Sequence, residues 1–410
     1  MNSKCRFCNN ELSVPIIDLG KTPLANSYLN KKQIKSSEKK FPLQVFVCKK
    51  CFLVQLKEYE TSKNIFSEYA YLSSYSSTWL EHSRNYVNMI IKRLKITKKN
   101  FVVEIASNDG YLLQYFIKKN IPVLGIEASK NISKISVAKG IPTTNAIFGK
   151  KLAEKIIKKN EPADLIIANN VLAHVPNIHD FIEGIRILLK HDGVVTIEVP
   201  HLLTLIANNE FDTIYHEHFS YFSLTVLKKI FSFHDMKIFD IDELETHGGS
   251  IRIYVTHKNN KIFSIHSKIY ALINKEKRNG LCNMKTYHNF NKKILKIKHE
   301  LNEFLSYVNN SSKTIICYGA PAKGNTLLNY CAISSTDISC TVDRNPYKQN
   351  LHLPGSHIPI TEPSKITKIK PDYLLILPWN LSEEIIQQTR FIRKWGGKFV
   401  IPIPSLQIIE

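Results

Sequence analysis

The sequence predicts an α/β protein: two parallel-sheet α/β domains behind a small metal-bound N-terminal domain. Residues 101–199 alternate short apolar runs with amphipathic stretches, the rhythm of a parallel sheet with helices on both faces. A second alternation starts at Thr314. Ahead of both stand two C-x2-C pairs, Cys5 with Cys8 and Cys48 with Cys51. The expected domains are a metal-binding part at 1–60, a helical connector at 61–100, a first α/β domain at 101–261, and a helical linker with the second α/β domain at 262–410.

A chain of 410 residues is too long for one core, and its hydrophobic fraction of 43% is that of a globular protein. No stretch reaches the roughly 18 apolar residues that a membrane span needs. The first residues carry charge with no apolar run behind it, so no secretory leader is read and a cytoplasmic location is expected. The formal net charge of +21 raises the question of nucleic acid. The lysines, however, are spread along the chain, often as pairs such as Lys118-Lys119 and Lys292-Lys293, with no arginine block interleaved with aromatics. General surface basicity, or help in drawing in an anionic small molecule, fits better than nucleic-acid binding.

Two C-x2-C pairs aim four thiolates at one ion, the tetrahedral set that zinc prefers. Apolar residues flank them at 43–47 and 52–56, which read as short strands. Four sulfurs leave no open coordination position, so the expected zinc is structural. The other cysteines, Cys282, Cys317, Cys331 and Cys340, are scattered and read as free thiols. A zinc knot on a basic chain could bind nucleic acid, but no recognition helix or stacking strip accompanies it.

In the first α/β domain, 101–105 reads as a buried strand, 107–110 as a turn, 111–119 as an amphipathic helix, and 122–126 as a second strand ending at Glu127. Further strands are expected at 164–168 and 194–199, with helices around 149–160 and 178–190. Ligands of such sheets bind beyond the carboxyl ends of the strands. Glu104, Ser107, Asn108, Asp109 and Gly110 fall there, as do Glu127, suited to a ribose, and Asn169 and Asn170. A dinucleotide fold would also show the acidic residue, but G-x-G-x-x-G is missing from the turn. An acidic, asparagine-bearing turn suits the sulfonium and ribose of S-adenosylmethionine better than a pyrophosphate. Alanine stands at 106, where methyltransferases usually have glycine.

After the strand ending in Glu198-Val-Pro200 comes Phe-Asp-Thr-Ile-Tyr-His-Glu-His at 211–218. Tyr215, Glu217 and His218 put phenol, carboxyl and imidazole just past a sheet edge, a grouping suited to acid–base work. A merely polar loop, or a metal site on His216 and His218, are the other readings. His174 follows the Asn169-Asn170 strand end and is either a core histidine or a substrate contact. In the second α/β domain, residues 319–324 form a small-residue turn into a helix expected at 325–331. Its backbone N–H groups suit a phosphate, and Lys323 adds charge. The plain alternative is a structural Rossmann-like domain.

Taken together these segments resemble the nucleotide-sugar C-methyltransferases of deoxysugar pathways. The likeness runs over the cysteine pairs, Val-Glu-Ile-Ala-Ser-Asn-Asp-Gly, Asn-Asn-Val-Leu-Ala-His-Val, Tyr-His-Glu-His, His247-Gly-Gly-Ser-Ile-Arg252 and Tyr318-Gly-Ala-Pro-Ala-Lys-Gly-Asn-Thr326. It implies a Rossmann-like methyltransferase domain with a zinc-binding domain before it and a second Rossmann-like domain after it. It implies that a base takes a proton from the carbon beside a sugar ketone and that the resulting enolate takes the methyl group. His218 matches the base, with Tyr215, Glu217 and His174 around the sugar and one tyrosine of 69–75 closing over it. Tyr318, Gly319, Lys323, Asn325, Asp343 and Arg344 would hold the nucleoside diphosphate of a keto-deoxysugar. The enzyme is expected to be a monomer. A sugar O-methyltransferase is the nearest rival, since the same loop could deprotonate a hydroxyl.

Overall fold

The computed structural model describes residues 3–61 and 72–410. The chain divides into two compact units that are interleaved in sequence. One comprises Met1–Leu12, Cys48–His201 and Phe219–Cys282; the other comprises Ser13–Val47, Leu202–His218 and Asn283–Glu410.

The first unit is built on a seven-stranded sheet. Thr143–Asn145, Val123–Glu127, Val102–Ile105, Ala163–Asn169 and Leu189–Pro200 run parallel in that order, and Ser250–His257 and Met236–Leu244 close the sheet antiparallel. The central strands are apolar on both faces because helices cover both. Val102, Leu165 and Ile167 pack with Val87 and Ile90 of the helix Ser77–Leu94 and with Leu113 and Phe116. Ser76 starts that long helix by accepting a hydrogen bond from the Trp79 N–H at 3.2 Å. The helix expected at 111–119 is shorter, Leu113–Ile117. Gly110 and Asn120 take left-handed conformations at φ 78° and 57°, and the turn at Asn120 ends the helix early.

The second unit carries a six-stranded sheet in the order Ile360–Thr361, Thr341–Val342, Ile315–Tyr318, Tyr373–Ile376, Lys398–Ile401 and Gln407–Ile409. All neighbours are parallel except the last pair. The 27-residue helix Met284–Asn310 buries Tyr287, Phe290, Ile294, Ile297, Leu301, Phe304 and Val308, a stripe at helical spacing, and Phe304 meets Tyr373 edge-on at 5.1 Å. Ile17–Thr22 and Phe41–Val47 form an antiparallel hairpin in the same unit. The helix expected at 325–331 starts earlier and runs Ala322–Tyr330, because Pro321 occupies its N-cap and Ala322 and Lys323 are good helix formers. Among the described residues no helix is long and apolar enough to cross a membrane.

Candidate functional site

Each cysteine pair sits on a tight knuckle. The Cys5 carbonyl accepts from the Asn9 N–H at 2.9 Å and the Cys48 carbonyl from the Phe52 N–H at 2.9 Å, with Asn9 and Phe52 both left-handed. The two knuckles meet with Cys5 and Cys51 sulfurs 3.6 Å apart and Cys8 and Cys48 sulfurs 3.5 Å apart. All four sulfurs lie within 4.8 Å of one another. Sulfurs about 2.3 Å from a tetrahedral zinc stand roughly 3.8 Å apart, so this set fits the ion. The N–H groups of Leu53 and the Gln55 side chain point at the Cys51 and Cys5 sulfurs, the donors that thiolates take. Arg6, inside the first knuckle, donates to the carbonyls of Pro176 at 3.0 Å and Leu56 at 2.5 Å. His179 bonds the Phe7 carbonyl at 2.8 Å. The knuckle is thus tied to the turn that carries His174.

At the carboxyl edge of the first unit's sheet lies a set of buried polar atoms. Glu104 is 1% exposed, and, Tyr111 aside, its carboxylate oxygens have no hydrogen-bond partner among the described residues. Burial holds its carboxyl well above the ordinary range, which Tyr111 only partly offsets. Ser107 Oγ, Asn169 Oδ1 and both amide atoms of Asn170 are also buried without partners among the described residues. Such atoms in a folded protein call for a ligand or water to complete them, and S-adenosylmethionine, with its amine, carboxylate and ribose hydroxyls, fits the set. Glu127 accepts from the Asn108 and Ser129 N–H groups at 3.0 and 2.8 Å, and burial still keeps its carboxyl above the usual value. The backbone is left-handed at Ala106, Asn108 and Gly110, with φ of 57°, 47° and 78°. Its φ favours glycine at 110, and a side chain there would also have to displace the tip of Ile141, 1.9 Å away.

Two of the expected cofactor-contact residues also bond neighbouring protein groups. The Asn108 Oδ1 accepts from the Ser73 N–H at 3.0 Å. The Asp109 Oδ2 takes the Ser74 hydroxyl and the Lys139 ammonium, the latter at 2.8 Å, leaving Oδ1 unpartnered among the described residues. These side chains clip residues 73–74 to the turn. Tyr75 is 53% exposed, whereas Tyr69 and Tyr71 lie outside the described residues.

Sequence reasoning missed the neighbouring network around Glu198. This fully buried carboxylate meets Arg252 Nε at 2.8 Å and His82 Nε2 at 3.1 Å. Burial alone would push its carboxyl up, but His82 and Arg252 hold it below the ordinary value. His82 stacks on Trp79 at 4.9 Å, and Trp79 stacks on Tyr111 at 6.1 Å. Only the antiparallel pairing of Glu198 with Arg252 brings this set together. His174 is half-buried on the turn Leu172–His174, and the next-door Ala173 carbonyl accepts from the Phe219 N–H at 2.7 Å.

In the second unit, the segment ending in His218 is folded back on itself. The rings of Tyr215 and His218 are 4.0 Å apart. His218 Nδ1 lies 2.9 Å from the Thr213 carbonyl. Glu217 is buried, takes the Asn26 amide at 3.2 Å, and is pushed above the usual carboxyl range by burial. His216 faces elsewhere: its Nε2 is 3.3 Å from the Pro42 carbonyl, and burial lowers its basicity. Among the described residues the only cluster fit for a metal is the cysteine set.

The turn at 319–324 has a different internal arrangement from the one expected. Lys323 is turned toward Asn380, 3.0 Å away, and over the Trp379 ring at 4.5 Å. Burial lowers the basicity of this ammonium, which Asp212 and Glu210 counteract. Burial in turn pushes Glu210 up to about 7 and Asp212 up to about 6. Asp343 accepts from the N–H groups of Ala320 and Asn345 at 2.7 and 2.8 Å, holding the turn in shape. Gly319, at φ 87°, passes so close to Pro378 that a side chain would sit 2.6 Å from it. Asn325 donates to the Ala25 carbonyl at 2.6 Å. Tyr318 and Arg344 both reach Gln388, at 3.4 and 3.5 Å.

A parallel sheet with unsatisfied polar atoms at its carboxyl edge, over residues 79–238 matching the family described as "Methyltransferase domain", defines an S-adenosylmethionine-dependent methyltransferase. Residues 5–66 match the "Putative zinc binding domain" family and residues 245–404 match the family described as "C-methyltransferase C-terminal domain". The chain is 33% identical over 407 residues to C-methyltransferase NovU of Streptomyces niveus, covering 99% of this chain and 97% of that one. It belongs to this family of C-methyltransferases, with a zinc-binding domain before the catalytic fold. Among solved structures it is similar to a methyltransferase of Anabaena variabilis, at 16% identity over 42% of this chain and 83% of that one, TM-score 0.34. A methyltransferase of Archaeoglobus fulgidus is alike at 14% identity over 43% and 93%, TM-score 0.36.

Proposed function

We propose that this C-methyltransferase acts on a nucleotide-linked keto-deoxysugar, methylating the ring carbon beside the ketone. His218 is the base. The observation that carries this reading is the 2.9 Å contact of its Nδ1 with a backbone carbonyl. A carbonyl only accepts, so Nδ1 holds the proton and Nε2 presents the lone pair. His218 Nε2 takes the α-proton, and the oxyanion formed needs a donor where its charge develops. Tyr215, its ring tilted against that of His218, and His174 supply such donors. Glu217, which burial biases toward its protonated form, orients the sugar. S-Adenosylmethionine, when bound, supplies the electrophilic methyl group that the enolate carbon takes. Glu104, Ser107, Gly110, Glu127, Asn169 and Asn170 hold it, with Asn108 and Asp109 shaping the turn.

The motif resemblance supports the sugar and its nucleotide. In the second unit the N–H groups of Ala322, Lys323 and Gly324 at the start of the helix receive the diphosphate, with Tyr318, Gly319, Asn325, Asp343 and Arg344 around it and Lys323 lending charge. Such a substrate is small and cytoplasmic, and a monomer suffices. Donor consumption against a panel of nucleotide-linked keto sugars tests the reading. Turnover with one of them, and product NMR placing the new methyl on carbon, is expected. A methyl found on oxygen would establish the rival O-methyl reading instead.

A further inference from the structure

We propose that Asp212 and Trp379 are positioning residues that fix which nitrogen of His218 accepts the proton. The proposal rests on the reading of His218 as the base for its kinetic consequence, but not for the tautomer itself.

The tautomer depends on where the Thr213 carbonyl stands, since that oxygen takes the Nδ1 proton of His218. Thr213 ends the three-residue turn Phe211–Thr213. One turn of 3-10 helix is too short to hold its own geometry. It is held from outside, within the same unit. The Trp379 indole N–H donates to Asp212 Oδ2 at 2.7 Å. The Thr326 hydroxyl donates to the Ile214 carbonyl at 2.9 Å, and the Phe211 ring meets Tyr330 at 5.4 Å.

Of these contacts the Asp212–Trp379 bond is the one with a chemical demand. Asp212 is 0% exposed, and its second oxygen has no hydrogen-bond partner among the described residues. A buried carboxyl is costly to the fold unless donors reach it, and beside the backbone of its own turn, Thr213 included, the Trp379 indole is the side-chain donor that does so. Trp379 is itself clamped: the Lys323 ammonium sits over its ring at 4.5 Å and bonds the adjacent Asn380. Lys323, Trp379, Asp212, Thr213 and His218 thus form one line of contacts, from a buried ammonium to the imidazole. Loss of the indole donor frees the turn, the carbonyl swings, and the imidazole proton is shared between both nitrogens.

The test is 15N NMR of the full-length, zinc-loaded chain with labelled histidine, the His218 signals being assigned by their loss in His218→Asn. The wild type is expected to show a protonated Nδ1 and an unprotonated Nε2. Trp379→Phe keeps the ring, loses the donor, and is expected to give a mixture of tautomers. Asp212→Ala is expected to do the same, while Asp212→Asn keeps an acceptor oxygen and with it the wild-type pattern. If Trp379→Phe does not fold, the Asp212 pair carries the comparison. With substrate, kcat for methyl transfer is expected to fall roughly 10- to 100-fold in Trp379→Phe, the loss that a misplaced base brings, with the donor KM unchanged. A single wild-type tautomer in folded Trp379→Phe or Asp212→Ala overturns the proposal. A shifted tautomer with undiminished methyl transfer upholds the clamp and removes His218 from the role of base.

Discussion

Ala106 carries φ 57° in the turn that follows the strand Val102–Ile105. A left-handed residue with a Cβ costs about 1–2 kcal/mol relative to a relaxed backbone, and glycine escapes most of that. Ala106→Gly is therefore expected to stabilise the protein by about 1 kcal/mol in urea denaturation, offset in part by the extra freedom that glycine has when unfolded. A clear loss of stability would show that the alanine methyl packs usefully. Glu104 makes the opposite kind of compromise. Burial raises its folded carboxyl well above the ordinary carboxylate value. The raised value means that stability is fully present below about pH 4.5 and is lost as pH rises through the folded pKa. Glu104→Gln should lose this slope in a pH series of unfolding midpoints, while donor affinity by titration calorimetry falls about tenfold or more. Unchanged affinity would remove Glu104 from the donor site. Glu104 was legible from its place at a strand end; the left-handed Ala106 was visible only as a departure from glycine, not as a strained backbone.

At the scale of elements, two assemblies set the site's rigidity. The zinc knuckles hold Arg6 and Phe7, and through them the Pro176 carbonyl and His179. Stripping the metal with a chelator is expected to lower the unfolding temperature and to abolish turnover, because binding and folding of such knuckles are linked. Arg6→Met, with zinc content intact by metal analysis, should lower kcat several-fold; full activity there would limit zinc to local folding. Across the sheet, Glu198 and Arg252 face one another on antiparallel strands. Arg252→Met leaves a buried carboxylate with His82 as its remaining side-chain partner among the described residues, a change expected to cost about 3–5 kcal/mol by denaturant titration. The depressed Glu198 pKa gives the pH window: its stability contribution is present above the ordinary carboxylate value and is lost as pH falls through the folded value. Sequence made the strand rhythm and the cysteine pairs legible, because period and spacing are local. It overran the helix at Leu113–Ile117, since apolar spacing does not register a left-handed Asn120. The partners His82, Ser73, Ser74 and Trp379 lie 35 to 167 residues from the groups they bond, beyond any local pattern.

At the scale of the whole molecule, the two compact units are threaded through one another in sequence. Residues 202–218 leave the methyltransferase sheet and belong to the other unit before the chain returns at Phe219. The sequence placed this segment just past a strand end, which drew attention to Tyr215 and His218. It could not show that the Thr213 carbonyl, five residues before His218, lies 2.9 Å from the imidazole Nδ1. The formal charge of +21 is dispersed and suits an anionic small substrate better than a polyanion, so salt is expected to raise the substrate KM without affecting the donor KM. The central claim is that His218 enolises a ketone before carbon is methylated. Its most direct measurement is washout of the sugar's α-proton into deuterated water, followed by NMR, with donor present and absent, in wild type and His218→Asn. Exchange is expected in the wild type and none in His218→Asn, with donor affinity equal in both. Exchange at the wild-type rate in His218→Asn, or methyl transfer to carbon without it, would contradict the claim.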